Sequence, residues 1–200
     1  MSKGAKHKLC RRVGSCVWGS PKCPSNRRPY PAGASAKARR QKLSTYGELL
    51  LEKQKLKAHY GVSEKQLRFL YKKAHKGKEN TSTPEKLLQS LELRLASIVW
   101  RSGLAPTVFA AKQAVNHRHI YVNERVIDRS GFIIEPGQTV SINSDKSPSI
   151  ATTSQNIEVE IPPYLEVDKS ACKVHVARLP LTDEIPANVD IMSVVEFYAR

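Results

Sequence analysis

The sequence predicts an α+β protein. It has an irregular basic N-terminal arm, a mainly helical domain, and an inserted small module of helices packed on an antiparallel sheet. Three observations carry this. Apolar residues recur at helical spacing from about Thr45 to Val115, and the period changes to two from Ile120 onward. Residues 1–43 sustain neither period and hold four of the 12 prolines. The charge is also divided: of a net +15 over 200 residues, residues 1–80 carry 21 basic side chains against 4 acidic, leaving +17, and residues 81–200 carry −2.

Thr45-Tyr46-Gly47-Glu48 has the spacing of a capping box, and Leu49, Leu50, Leu56 and Tyr60 continue as an apolar stripe to Gly61, a residue suited to close a helix. Ser63-Glu64-Lys65-Gln66 repeats the box before Leu67, Leu70, Tyr71 and Ala74, and Gly77 ends the run. After a polar linker at 78–82, Thr83-Pro84 reads as N-cap and first helical residue, with Leu87, Leu88, Leu91, Leu95, Ile98 and Val99 on one face. Thr107 caps a further short helix through Val115. Strands are then expected at 120–122, 126–127, 132–134 and 140–142, separated by the turn signals Asn123-Glu124 and Pro136-Gly137. The Ser/Thr/Asn-rich stretch 143–156 reads as a flexible loop, and strand-like alternation returns at 157–161 and 173–176. Residues 189–198 fit either a helix or a strand. The domain boundaries this implies are 1–43, 44–91 completed by 176–200, and 92–175.

Several function classes are excluded at once. No run of about 18 apolar residues occurs, so no membrane span is expected. No apolar signal segment opens the chain, so its four cysteines point to a reducing compartment, where clustered thiols suggest metal or reactivity rather than disulfides. Neither a Ser/His/Asp set nor a G-x-x-x-x-G-K-[ST] phosphate loop is present, so catalysis is not expected.

The basic excess points to a polyanion. Residues 1–42 contain 12 Lys/Arg and no carboxylate, a segment that repels itself until phosphates neutralise it and counterions are released. Arg27, Arg28 and Tyr30 join two phosphate-matching forks to a stacking ring, and Arg39, Arg40 and Lys42 form a second cluster. Lys53, Lys55, Lys57, Lys65, Arg68, Lys72 and Lys73 follow on the helices. Any one of them could be an ordinary solvated lysine, but together with only four acids in 80 residues they favour nucleic acid, RNA before DNA.

His7, Cys10, Cys16 and Cys23 form the pattern His-x2-Cys-x5-Cys-x6-Cys. Four N/S donors suit one tetrahedral zinc, and a metal would order a segment too polar to fold by burial. An iron–sulfur cluster and three ordinary reduced thiols are the alternatives. Cys172 lies apart and reads as a small buried hydrophobe.

Leu91-Glu92-Leu93-Arg94-Leu95, Val115-Asn116-His117-Arg118-His119-Ile120-Tyr121-Val122-Asn123 and Pro136-Gly137-Gln138 resemble the RNA-binding module of small-subunit ribosomal protein four. The resemblance extends along nearly the whole chain. It takes in Leu9-Cys10-Arg11-Arg12, Lys22-Cys23, Arg27-Arg28-Pro29-Tyr30-Pro31, Tyr60-Gly61-Val62-Ser63-Glu64-Lys65-Gln66 and Glu196-Phe197-Tyr198, which are similar to the bacterial-type, zinc-containing variant of that family.

The resemblance implies a cytoplasmic, non-catalytic constituent of the small ribosomal subunit. Such a protein binds rRNA at a 5′-domain helix junction, nucleates assembly, and lies where mRNA enters, beside ribosomal proteins five and three, influencing accuracy. It implies a protein that is not a homo-oligomer. It adds Arg11, Arg12, Lys22, Lys112, Gln113, His117 and Arg118 to the RNA-facing set, places Arg39, Arg40 and Lys42 at the mRNA channel, and makes His7, Cys10, Cys16 and Cys23 the ligands of one zinc. The chain departs from the family at Ala32-Gly33-Ala34-Ser35-Ala36, where Pro-Gly-Gln-His-Gly is usual. It departs also at Val108, where Arg is usual, and at Glu124, where a turn Gly is usual.

Overall fold

A computed structural model describes residues 7–33, 43–77, 81–143, 147–157 and 159–199. These fold as α+β, with eight α-helices and one five-stranded antiparallel sheet among the described residues. The chain divides into two compact units, residues 1–68 with 187–200, and residues 69–186.

The first unit begins with α1 (Lys8–Val13), a short helix inside the arm that was expected to be irregular. Gly14 ends it at φ 89°, its N–H donating to Cys10 O, and a 3₁₀ turn follows at Pro24–Asn26. α2 (Thr45–His59) is capped one residue earlier than expected: Ser44 Oγ accepts the Gly47 N–H at 3.2 Å. It closes at Gly61 as predicted, with Gly61 N–H to Ala58 O and Val62 N–H to Lys57 O, the paired bonds of a Schellman motif. Ser63 and Gln66 form the expected reciprocal cap of α3 (Glu64–Lys76), which crosses the division between the units.

The undecided C-terminal stretch is helical, α8 (Ile191–Ala199). Asp190 decides it by accepting the N–H groups of Met192 and Ser193. α8 packs on α2, with Tyr46 and Phe197 rings 5.6 Å apart.

The second unit contains α4 (Thr83–Glu92), α5 (Leu95–Arg101), α6 (Val108–Asn116) and α7 (Pro148–Gln155). Its strands are β1 (Ile120–Val122), β2 (Arg125–Val126), β3 (Thr139–Ile142), β4 (Leu165–Asp168) and β5 (Lys173–Val176), in the order β2-β1-β3-β5-β4. Ser82, not Thr83, caps α4 in a full capping box with Glu85. α4 groups with this unit rather than with α2, its Gln89 Nε2 donating to Pro180 O.

The register pairs Ile120 with Ile142, Val122 with Val140, and Val140 with Val174. Every second side chain therefore enters the same core as Ile98, Val99, Ala111 and Val115 of the helices. Beneath it Glu92, wholly buried, accepts from Arg101 Nη2 at 2.8 Å and from the Tyr164 hydroxyl at 3.1 Å.

Three expectations change here. Residues 132–134 make no strand: Ile134 N–H donates to Leu93 O and Leu95 N–H to Phe132 O, so this backbone is satisfied by the 93–95 segment. The predicted loop at 143–156 contains α7, whose Thr152 and Thr153 hydroxyls donate back to the carbonyls of Pro148 and Ser149. The apolar residues near 157–161 stay out of the sheet, and the edge strand is β4, further on. Gly103, at φ 75°, receives Val159 instead: a Cβ there would lie 2.8 Å from Val159 Cγ2. Among the described residues no helix is long and apolar enough to cross a membrane.

Candidate nucleic-acid interface and metal centre

The metal candidates lie in the first unit. His7 precedes α1, Cys10 is buried within it, and Cys23 immediately precedes the 3₁₀ turn. One donor atom from each lies within 4.8 Å of the others, and His7 Nδ1 is 3.2 Å from Cys23 Sγ. Cys16 is not among the three. Its sulfur accepts the Ser20 N–H at 3.3 Å, yet it also hydrogen-bonds toward Cys23.

Burial pushes the Cys10 thiol up to about 11, with the neighbouring Cys23 and Cys16 charges adding to it. Burial also acts to raise Cys23, but hydrogen bonds from Ser25, Cys16 and Cys10 outweigh it and hold this thiol below its ordinary value. One imidazole and two thiols converge, with a third thiol in the same loop, so the donor chemistry fits a thiolate-binding metal. Trp18 Nε1 donates to Ala58 O, and His59 Nδ1 lies 2.9 Å from Val17 O, so the loop 14–23 is tied to α2.

The predicted cations separate into exposed and internally paired groups. Arg12, Lys22, Arg27, Arg28, Lys65, Arg68, Lys72 and Lys73 are exposed. Arg11, half-buried, donates to the carbonyls of Tyr30 and Pro31 with its guanidinium 5.2 Å from the Tyr30 ring centre. Lys53 is only 6% exposed: its Nζ is 3.1 Å from Glu64 Oε1 and 4.0 Å from the Phe197 ring centre, a packing contact that withdraws it from the surface. Lys55 pairs with Glu52, and Lys57 pairs with Glu64 at 3.3 Å. Arg39, Arg40 and Lys42 lie outside the described residues, as does most of the altered 32–36 segment.

In the second unit, Gln113, His117 and Arg118 are exposed along the end of α6, and Lys112 is half-buried. α6 ends in a full Schellman motif, Arg118 N–H to Val115 O and His119 N–H to Ala114 O, with Arg118 at φ 63° where glycine is usual. Val108 is buried at the start of the helix and contributes apolar packing where the family usually has a cation.

The Asn123-Glu124 hairpin forms without the family's glycine by placing both residues at positive φ, 44° and 67°. Arg94, within the motif Leu91-Glu92-Leu93-Arg94-Leu95 but given no role by the sequence, is only 3% exposed. Its Nε and Nη2 have no hydrogen-bond partner among the described residues, and burial holds it below the usual arginine range. Burial, and then the charge of Arg94, likewise lower Lys112. The signal available for Arg94 was a lone cation inside the apolar run 91–99.

Residues 1–92 match the family described as Ribosomal protein S4/S9 N-terminal domain, and residues 93–140 match the S4 domain. The chain is 41% identical over 207 residues to the small ribosomal subunit protein uS4 of Bartonella bacilliformis, all of both chains being covered. The chain belongs to the uS4 family. Members from Mesorhizobium japonicum, 39% identical with both chains fully covered, and Methylobacterium nodulans, 38% identical over 98% of this chain and 97% of that one, are similar to the same extent. The uS4 family is structural rather than enzymatic, in keeping with the absence of catalytic motifs, and its S4 domain is an RNA-binding module.

Proposed function

We propose that this protein is a structural constituent of the small ribosomal subunit that binds rRNA directly. The observation that carries the reading is the end-to-end similarity to small-subunit proteins, in a chain whose positive excess lies wholly in residues 1–80. Arg12, Lys22, Arg27, Arg28, Lys65, Arg68, Lys72 and Lys73 contact phosphates, with Lys112, Gln113, His117 and Arg118 as the second contact surface. Residues 1–43 act as the arm, the rest of the first unit as the helical platform, and the second unit, which includes α4, carries the module. Binding at a 5′-domain helix junction early in assembly, contact with mRNA through Arg39, Arg40 and Lys42, and packing beside ribosomal proteins five and three in the cytoplasmic subunit complete the reading. Stoichiometric sedimentation with small subunits through a high-salt gradient is expected. A protein that stays at the top of the gradient contradicts it and favours a regulator acting off the ribosome.

His7, Cys10 and Cys23, joined by Cys16, hold one zinc in this reading, and the metal fixes the arm rather than taking part in chemistry. Metal analysis of the wild type should give one zinc per chain, reduced in Cys10→Ser and His7→Ala. Equal metal in all three removes the assignment, and iron with sulfide in the wild type replaces it with a cluster.

A further inference from the structure

Between α6 and α7 lies an open cavity of about 310 Å³ lined by apolar residues, Ala110, Ala114 and Ile150 among them, together with Gln113, His117 and His119. Its volume lies at the lower end of the range for small-molecule sites, and its lining is mainly apolar with a few polar groups. None of the lining side chains is acidic. The His117 and His119 rings stand 6.0 Å apart, and His119 is held in place through Nδ1 and the Ser147 hydroxyl. Arg118, next in the chain, is exposed and pairs with Asp128 at 3.2 Å.

We propose that this cavity takes one extruded nucleobase of the bound RNA, stacked on His117 and read by the Gln113 amide. An imidazole offers a flat face, an amide offers one donor and one acceptor to a base edge, and unstacked bases are the parts of RNA that proteins read. The assignment rests on the rRNA-binding reading above and adds what that reading lacks, a contact that depends on bases rather than on charge.

Two probes of equal charge separate these contributions: a hexamer of adenylate and a hexamer of abasic ribose-phosphate, each titrated into the full-length protein at fixed salt. The adenylate hexamer should bind about tenfold more tightly. That ratio should fall severalfold toward one in Gln113→Ala and in His117→Ala. A ratio of one in the wild type overturns the proposal, as does a ratio unchanged in both variants, which would place the stacking elsewhere, for example on Tyr30.

A transcript of the small-subunit rRNA 5′ domain, titrated alongside, separates the two claims. If it binds while the hexamers bind equally, the cavity assignment alone fails; if it does not bind, both fail. A leucine-rich peptide that shifts the Ile150 methyl resonance, where the adenylate hexamer leaves it unmoved, overturns the proposal in favour of a protein partner.

Discussion

Arg118 occupies the left-handed position that closes α6, at φ 63°. A non-glycine residue there costs about 1–2 kcal/mol. Its ion pair with Asp128, 3.2 Å long between exposed side chains, offers little in return. A strained residue that the fold does not need points to use elsewhere. Arg118→Gly is therefore expected to raise stability by about 0.5–1 kcal/mol, once the glycine's own entropy is counted, while weakening rRNA binding. Denaturant unfolding and rRNA titration of the same variant check both signs.

Gly103 shows the opposite dependence. At φ 75°, with Val159 Cγ2 2.8 Å from where a Cβ would stand, Gly103→Ala should lose about 1–3 kcal/mol, partly recovered by adding Val159→Ala. An unchanged denaturation midpoint would contradict that packing. The grouping of His7, Cys10 and Cys23 was legible from the sequence because residue type and short spacing bring such donors together. The pairing of Arg11 with Tyr30 and the burial of Lys53 were not, since the partners Tyr30, Glu64 and Phe197 are set by tertiary folding.

Among the elements, α2, α3 and α8 meet at Glu64. It accepts from Lys53 at 3.1 Å, from Lys57 at 3.3 Å and from the Tyr198 hydroxyl at 2.9 Å. Burial acts to raise its carboxyl, but the bonds from Lys53, Tyr198 and Lys57 outweigh this and hold it below 4.5. A depressed carboxylate stabilises the fold above its unfolded value, and that contribution is lost as pH falls through the lower folded value. Glu64→Gln should therefore flatten the stability profile below about pH 4.5 relative to the wild type. Parallel profiles would show that the cluster carries no differential charge energy.

Elements with a strong local signal were readable: the Gly61 closure, the Ser63–Gln66 cap, and β1, β3 and β5 with their period of two. α7 was hidden because Ser and Thr are common in loops; within the helix the Thr152 and Thr153 hydroxyls bond back to the carbonyls of Pro148 and Ser149. α8 was hidden because the decisive cap, Asp190, precedes a run apolar enough for either structure. The α6–α7 cavity joins residues some 40 positions apart, a distance at which sequence periodicity says nothing.

At the scale of the whole molecule, charge and metal have separable consequences. If one zinc joins the loop 7–23, a chelator should abolish amide protection in α1 while leaving the β1–β3–β5 core protected, because that core is built from Ile120, Val140, Ile142 and Val174 without any metal ligand. Full protection of α1 after metal removal would mean that hydrogen bonds such as Trp18 to Ala58 suffice.

Residues 1–80 carry +17 against −2 in the remainder. Lys53, Lys55 and Lys57 are paired internally, which leaves the exposed cations of the first 80 residues as the proposed phosphate contacts. The most direct test is the affinity of the full-length protein for small-subunit rRNA as a function of salt. The account predicts a linear fall of log affinity with log salt at a slope of several, on the order of one counterion per phosphate contact. A slope near zero would contradict it.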